Sequence, residues 1–171
     1  MVKITEWRTL PRMSILAKAT ETIEQALQQL GINPEEARCS EPGQWLVYRD
    51  DFEIYLDLWE QEEITPWNYF KPEGALAVFQ VSVPVFYLPE TRKDELMEEL
   101  LAVNMNLFYG AFTCNPNEQV VLLKYKMLAD ELHISDIIET VEALGYYAEM
   151  TFKVLSEEFG LKAVTTKDLE P

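Results

Sequence analysis

At 171 residues, with 48% apolar and 12% aromatic side chains, the chain has the make-up of one folded domain and not of a disordered or fibrous protein. Its 14 basic and 30 acidic side chains leave a formal charge of −16, a field that makes bare phosphate backbones and anionic membranes poor partners. Lys3, Glu6, Arg8, Arg12, Lys18, Glu21 and Glu24 interrupt the first thirty residues, so no signal peptide is expected and the expected location is cytoplasmic.

Helical spacing starts with Ile23, Ala26, Leu27 and Leu30 and stops at Gly31, with Asn33-Pro34 just beyond. Thr22 and Gln25 stand at capping-box spacing, one candidate start for this first helix beside Ser14 and Thr20. After a polar loop the period changes to two. Residues 45–49 and 52–59 read as two strands joined at Asp50-Asp51, a hairpin. The stretch from Glu60 to Gly74, with Pro66, Pro72 and Trp67-Asn68-Tyr69-Phe70, has no period and reads as a long excursion.

A third strand is expected over Ala75 to Tyr87, with Phe79, Val81, Val83 and Val85 on one face. Gln80, Ser82 and Pro84 interrupt it, and it is too short for the roughly 20 residues of a membrane span. Pro84 cannot donate to a ladder, which argues for a bulge or, preferably, a sheet edge. A second helix opens at Thr91 and carries Leu96, Met97, Leu100, Leu101, Leu107 and Phe108 as its apolar stripe, up to Gly110. Asn104 interrupts that stripe, and its amide is expected to bond to backbone at a sheet edge.

Residues 111–114 and 120–127 form a second hairpin around Asn115-Pro116-Asn117-Glu118. Ser135 caps a third helix whose Ile137, Ile138, Val141, Leu144, Ala148, Leu155 and Phe159 keep helical spacing to Gly160, with a kink expected at Gly145. The expected domain is therefore 1–160, followed by a flexible polar tail over 161–171. The fold class is α+β in the order α-β-β-β-α-β-β-α: a five-stranded antiparallel sheet with helices packed on it. Ile54, Leu56, Phe79, Val81, Leu100, Leu123 and Val141 are its expected core.

Catalytic chemistry finds little footing. The one histidine, His133, has no companion nucleophile motif and reads as a solvated or capping residue. The six glycines allow neither a dinucleotide nor a P-loop fingerprint, so no cofactor is expected. Cys39 and Cys114 form no CxxC unit and are read as reduced thiols. An enzyme would need His133 or Cys114 in a cleft with carboxylates. Asp50, Asp51, Glu53, Asp57, Glu60, Glu62 and Glu63 form an acidic run that admits a calcium- or ligand-responsive regulator as the alternative, but no DxDxDG loop accompanies it and no metal ligand is assigned.

The run Leu100-Leu101-Ala102-Val103-Asn104-Met105-Asn106-Leu107-Phe108-Tyr109-Gly110-Ala111-Phe112 resembles the helix-to-strand segment LLxxNxxxxxG of the YbjN-like and class I type III secretion chaperone-like families. The element order over nearly the whole chain is similar to that fold as well. The resemblance implies a non-enzymatic, homodimeric bacterial protein that binds a segment of a partner protein or serves a regulatory role. The excursion over Glu60 to Gly74 and the long third helix exceed the compact chaperone pattern.

Self-association is expected through the second helix or the Pro84 edge strand. If Ile54, Leu56 and Leu58 face the helices, alternation sends Tyr55, Asp57 and Trp59 to the other face, where Trp45 or Tyr48 joins them according to register. Trp45, Tyr48, Tyr55 and Trp59 are the expected protein-binding residues, because such rings combine apolar area with a polar handle. The competing expectation is that the Trp67 excursion or a dimer mate folds over this face.

Overall fold

The computed structural model describes residues 12–61, 76–115 and 117–164. Helix α1 (Arg12–Gln29) and a single-turn helix α2 (Pro34–Ala37) precede strands β1 (Gln44–Arg49), β2 (Phe52–Gln61) and β3 (Leu76–Tyr87). Helix α3 (Lys93–Asn104), strands β4 (Ala111–Asn115) and β5 (Val120–Leu128), a 3₁₀ turn at 129–131 and the long helix α4 (Ile134–Phe159) complete the chain. The five strands form one antiparallel sheet in the order β1-β2-β3-β5-β4. This is the α+β architecture expected from the changes of period.

The Asp50-Asp51 turn sets Arg49 opposite Phe52, and the register that follows pairs Val47 with Ile54 and Trp45 with Leu56. Asp50 takes φ of +49°, a left-handed conformation that aspartate tolerates better than most residues. One sheet face thus carries Trp45, Val47, Ile54, Leu56, Phe79, Val81 and Leu123, all buried, and α4 lies over it with α1 packed on α4 and β2. All seven expected core residues are buried. Phe152 of α4 meets Phe52 edge-on at 5.9 Å and Phe86 at 6.5 Å between ring centroids.

Gly145 has a packing role: a Cβ there would lie 2.5 Å from Arg49 Cδ and 3.1 Å from Ile54 Cδ1, so α4 approaches the first hairpin closely. The helix begins at Ile134 with His133 at its N-cap, which places the expected cap, Ser135, inside the first turn. Thr22 likewise lies within α1 and donates its hydroxyl to the Lys18 carbonyl at 2.9 Å instead of capping.

Three further expectations are corrected. Strand β3 is central, between β2 and β5, so the edge reading of Pro84 fails. The proline is accommodated because the β2 ladder ends at Tyr55 opposite Ser82, and a register shift between Pro84 and Phe86 absorbs the irregularity. The second predicted helix stops at Asn104, short of Leu107 and Phe108, and of its predicted stripe only Leu96 and Leu100 are buried. The tail is not free from residue 161: Tyr87 N–H donates to the Lys162 carbonyl at 3.0 Å and Val164 N–H to the Val85 carbonyl at 3.2 Å. Residues 161–164 thus occupy the side of β3 that β2 has left, while 165–171, like most of the expected 60–74 excursion, lie outside the described residues.

Asn104 matches its expectation. Its Oδ1 accepts from Phe112 N–H at 2.7 Å and its Nδ2 donates to the Phe112 carbonyl at 3.2 Å. One side chain thereby satisfies both backbone groups of a residue on the edge strand β4 and holds the end of α3 against it. At the other end of α3, Arg92 donates to the Glu158 carbonyl at 3.0 Å and stacks 4.4 Å from the Phe159 ring centroid, tying α3 to the end of α4.

Candidate protein-binding surfaces

The sheet face turned away from α4 is built from rows of cross-strand neighbours. Leu46, Tyr55, Ser82, Lys124 and Ala111 follow one another across the five strands, and Gln44, Asp57, Gln80 and Lys126 form the next row. Trp59 and Val78 begin a third, ending at Leu128. Tyr48 joins this face opposite Glu53, whereas Trp45, opposite Leu56, turns into the core and is only 2% exposed. Trp45 is thus removed from the candidate binding residues. Tyr48 is exposed, and Tyr55 and Trp59 are half-buried.

The face is polar as well as aromatic. Tyr55 donates its hydroxyl to Glu53 at 2.5 Å, and burial, then the bond to Glu53, pushes the phenol well above its ordinary range. Lys126 Nζ lies 5.2 Å from the Trp59 ring, a cation–π contact that leaves one side of the indole engaged. A hollow of about 380 Å³ opens beside these residues, between Asp57, Trp59, Gln80 and the Pro42-Gly43-Gln44 turn.

Burial raises the Asp57 carboxyl, opposed by hydrogen bonds from Gln80, at 3.5 Å, and Gln44 and by the charge of Lys124. Because the folded-state pKa lies above the unfolded one, ionisation of Asp57 works against the fold. Its contribution to stability is present at acid pH and lost as pH rises through the folded value. Asp57→Asn keeps an acceptor for Gln80 and removes the charge, so its melting temperature should equal or exceed that of the parent at pH 7, with the difference disappearing below about pH 4. Thermal melts at the two pH values check this; a variant less stable at pH 7 than at pH 4, relative to the parent, would contradict it.

A second surface was not foreseen as a unit. Met105 and Phe108 are 87% and 90% exposed at the end of α3, with Leu101 one turn before Met105. On α4, Tyr146, Met150 and Val154 recur at four-residue spacing and are also exposed. Val103 joins Met150, Thr151, Val154 and Leu155 around an apolar hollow of about 230 Å³. The sequence signal for this surface is charge, not period: residues 100–117 contain no charged side chain, in a chain that is 26% charged. Large apolar side chains as open to water as Met105 and Phe108 mark a protein contact when they stand together on a surface.

His133 is exposed at the start of α4, and Cys114 is a half-buried free thiol on β4. Among the described residues no three of His, Cys, Asp and Glu converge as a metal site, and no helix is long and apolar enough to cross a membrane.

A model of the YbjN family, described as "Putative bacterial sensory transduction regulator", matches residues 19–157. The chain belongs to the YbjN family. No curated protein matches it. Among solved structures, the fold is shared with a chain of the "Crystal Structure of the ExsC-ExsE Complex", at 15% identity and a TM-score of 0.55 over 82% of this chain and 95% of that one. It is also shared with a chain of the "Structure of the HopA1-SchA Chaperone-Effector Complex", at 10% identity and a TM-score of 0.57 over 82% of this chain and 97% of that one. The YbjN chain therefore has a secretion-chaperone fold, with α3 and β4 in the place where the resemblance in residues 100–112 was read.

Proposed function

We propose that this YbjN-family chain is a non-enzymatic protein-binding adaptor that pairs through the uncharged run that ends α3 and leads to β4, and seats a segment of a partner protein on the open sheet face. The observation that carries the reading is the exposure of Leu101, Met105 and Phe108 at the end of α3, with Met150 and Val154 exposed on α4 as well. A chain of charge −16 meets its own copy at least cost where it carries no charge. The partner site is read from Tyr48, Tyr55 and Trp59, which are ranged across β1 and β2 with Asp57 and Lys126 beside them. Two chains that share the fold were solved in complexes, one titled a chaperone–effector complex, which supports a protein as the ligand of this chain too.

The test is affinity capture of partners from the native bacterial host by the parent and by the Tyr55→Ala/Trp59→Ala double variant, read by mass spectrometry beside a thermal melt. The expected result is loss of a captured protein with the melting temperature lowered by no more than about 5 °C, since both rings are half-buried and each kcal/mol is worth about 2–4 °C at this size. Unchanged capture, or a much larger fall in melting temperature, would remove the open face as the partner site.

A further inference from the structure

On the helix-bearing side of the sheet, at the opposite edge from the first hairpin, a hollow of about 340 Å³ lies between the end of β5, the turn at 129–131 and the first turns of α4. Tyr109 and Tyr125 wall it, their rings 5.9 Å apart and perpendicular, so that a ring edge and a ring face are both presented. Met127 adds a polarisable apolar surface, and Glu131 and Asp136 supply two carboxylates. No basic side chain lines it, and neither carboxylate is in an ion pair among the described residues. Nearby, Tyr109 donates its hydroxyl to Glu139 at 2.5 Å, adding a third acidic group to the same neighbourhood.

The second observation is Thr140. It is wholly buried, it lines this hollow, and its Oγ1 has no hydrogen-bond partner. Such a group loses its water without replacement, which is uncommon for a hydroxyl and is relieved by a ligand able to donate to it. The N-terminal end of α4 by itself favours anions, but Asp136 already stands in its first turn. With Glu131 added, the balance of charge at the hollow is negative.

We propose that this hollow binds an organic cation with a short apolar stem, an alkylammonium or alkylguanidinium group. The stem lies against Met127 and the tyrosine rings, the cation faces ring and carboxylates, and an N–H is donated toward Thr140 Oγ1. Two sources share this chemistry: a lysine or arginine side chain of a bound protein segment, and a free small amine. The site is separate from the open sheet face, so failure here leaves the partner reading standing, and failure of the double variant there leaves this one standing.

The experiment follows the Met127 methyl resonance, assigned by Met127→Leu, in methyl-labelled full-length protein titrated with n-butylammonium, n-butylguanidinium, n-butanol and butyrate. Saturable shifts are expected with the two cations only, and Glu131→Gln/Asp136→Asn should weaken them about tenfold or more, the scale of one good charged contact. Both substitutions are isosteric and lie at the protein surface or half-buried, and the melting temperature verifies folding. Nα-acetyl-lysine-N-methylamide binding more tightly than butylammonium assigns the site to a partner side chain; the reverse order assigns it to a free amine. Shifts that do not saturate, equal shifts with butanol, or an unweakened double variant would overturn the proposal.

Discussion

Trp45→Ala should lower the melting temperature by roughly 6–20 °C, from about 3–5 kcal/mol for truncating a buried tryptophan and about 2–4 °C per kcal/mol in a domain of this size. The indole is 2% exposed and pairs with Leu56 across the first hairpin, under the helix layer. It also anchors the approach to β1, where Arg38 bridges to it. Trp45→Phe separates volume from polarity. Trp45 Nε1 is buried with no hydrogen-bond partner, so the smaller ring gives up contact area but also removes an unsatisfied donor. The phenylalanine variant is therefore expected to lose much less than half of what the alanine variant loses. Differential scanning calorimetry on the three proteins checks the order; a Trp45→Ala protein that melts with the parent would return this residue to the exposed face.

The placement of Trp45 was legible in principle. A two-residue turn at Asp50-Asp51 requires Arg49 to face Phe52, and counting back two residues at a time from each side brings Trp45 opposite Leu56. Tyr48 then has to lie on the other face. Alternation alone left the pair open because it gives two faces without saying which is which for the neighbouring strand. Asn104 was legible for a different reason: a lone amide on an apolar stripe needs a partner, and the nearest unpaired backbone belongs to an edge strand.

Pro84 misled because its missing N–H tells only that one ladder position is empty. A central strand whose neighbour ends early meets that condition as well as an edge strand does, and β2 ends its pairing at Ser82. The second helix misled through Leu107 and Phe108. Apolar spacing reports that a face avoids water, but it does not say whether the cover comes from the same chain. The helix ends where Asn104 turns to Phe112, and Gly110, at φ of +71°, carries the chain into β4 beneath the Lys124 carbonyl. A side chain at Gly110 would meet that carbonyl oxygen at 2.7 Å, so the sharp turn and the close approach together require glycine, and Phe108 is left outside.

The exposed end of α3 leads to the second large expected effect: the parent should run at twice the chain mass in light scattering at micromolar concentration, and Met105→Glu/Phe108→Glu at the single-chain mass. In a twofold pair the same patch meets itself, so each substitution enters the interface twice and four carboxylates oppose association. Both side chains are nearly free of contact within one chain, and substitutions at such positions usually change stability by about 0.5 kcal/mol or less. The variant should therefore melt with the parent when both are diluted until the parent is itself monomeric, a comparison that removes the stabilisation a dimer gains from its own concentration. Salt supplies the sign test. Two chains of −16 repel over about 10 Å at 0.1 M ionic strength and about 3 Å at 1 M, so association through an uncharged apolar patch tightens as salt is added. A pair held by ion pairs loosens instead. Parent protein that stays monomeric at about 100 μM, a variant that stays dimeric, or a dimer that salt disperses would each refute the α3 surface as the self-association site, and the last would direct attention to the charged open face with Lys124 and Lys126 against Asp57.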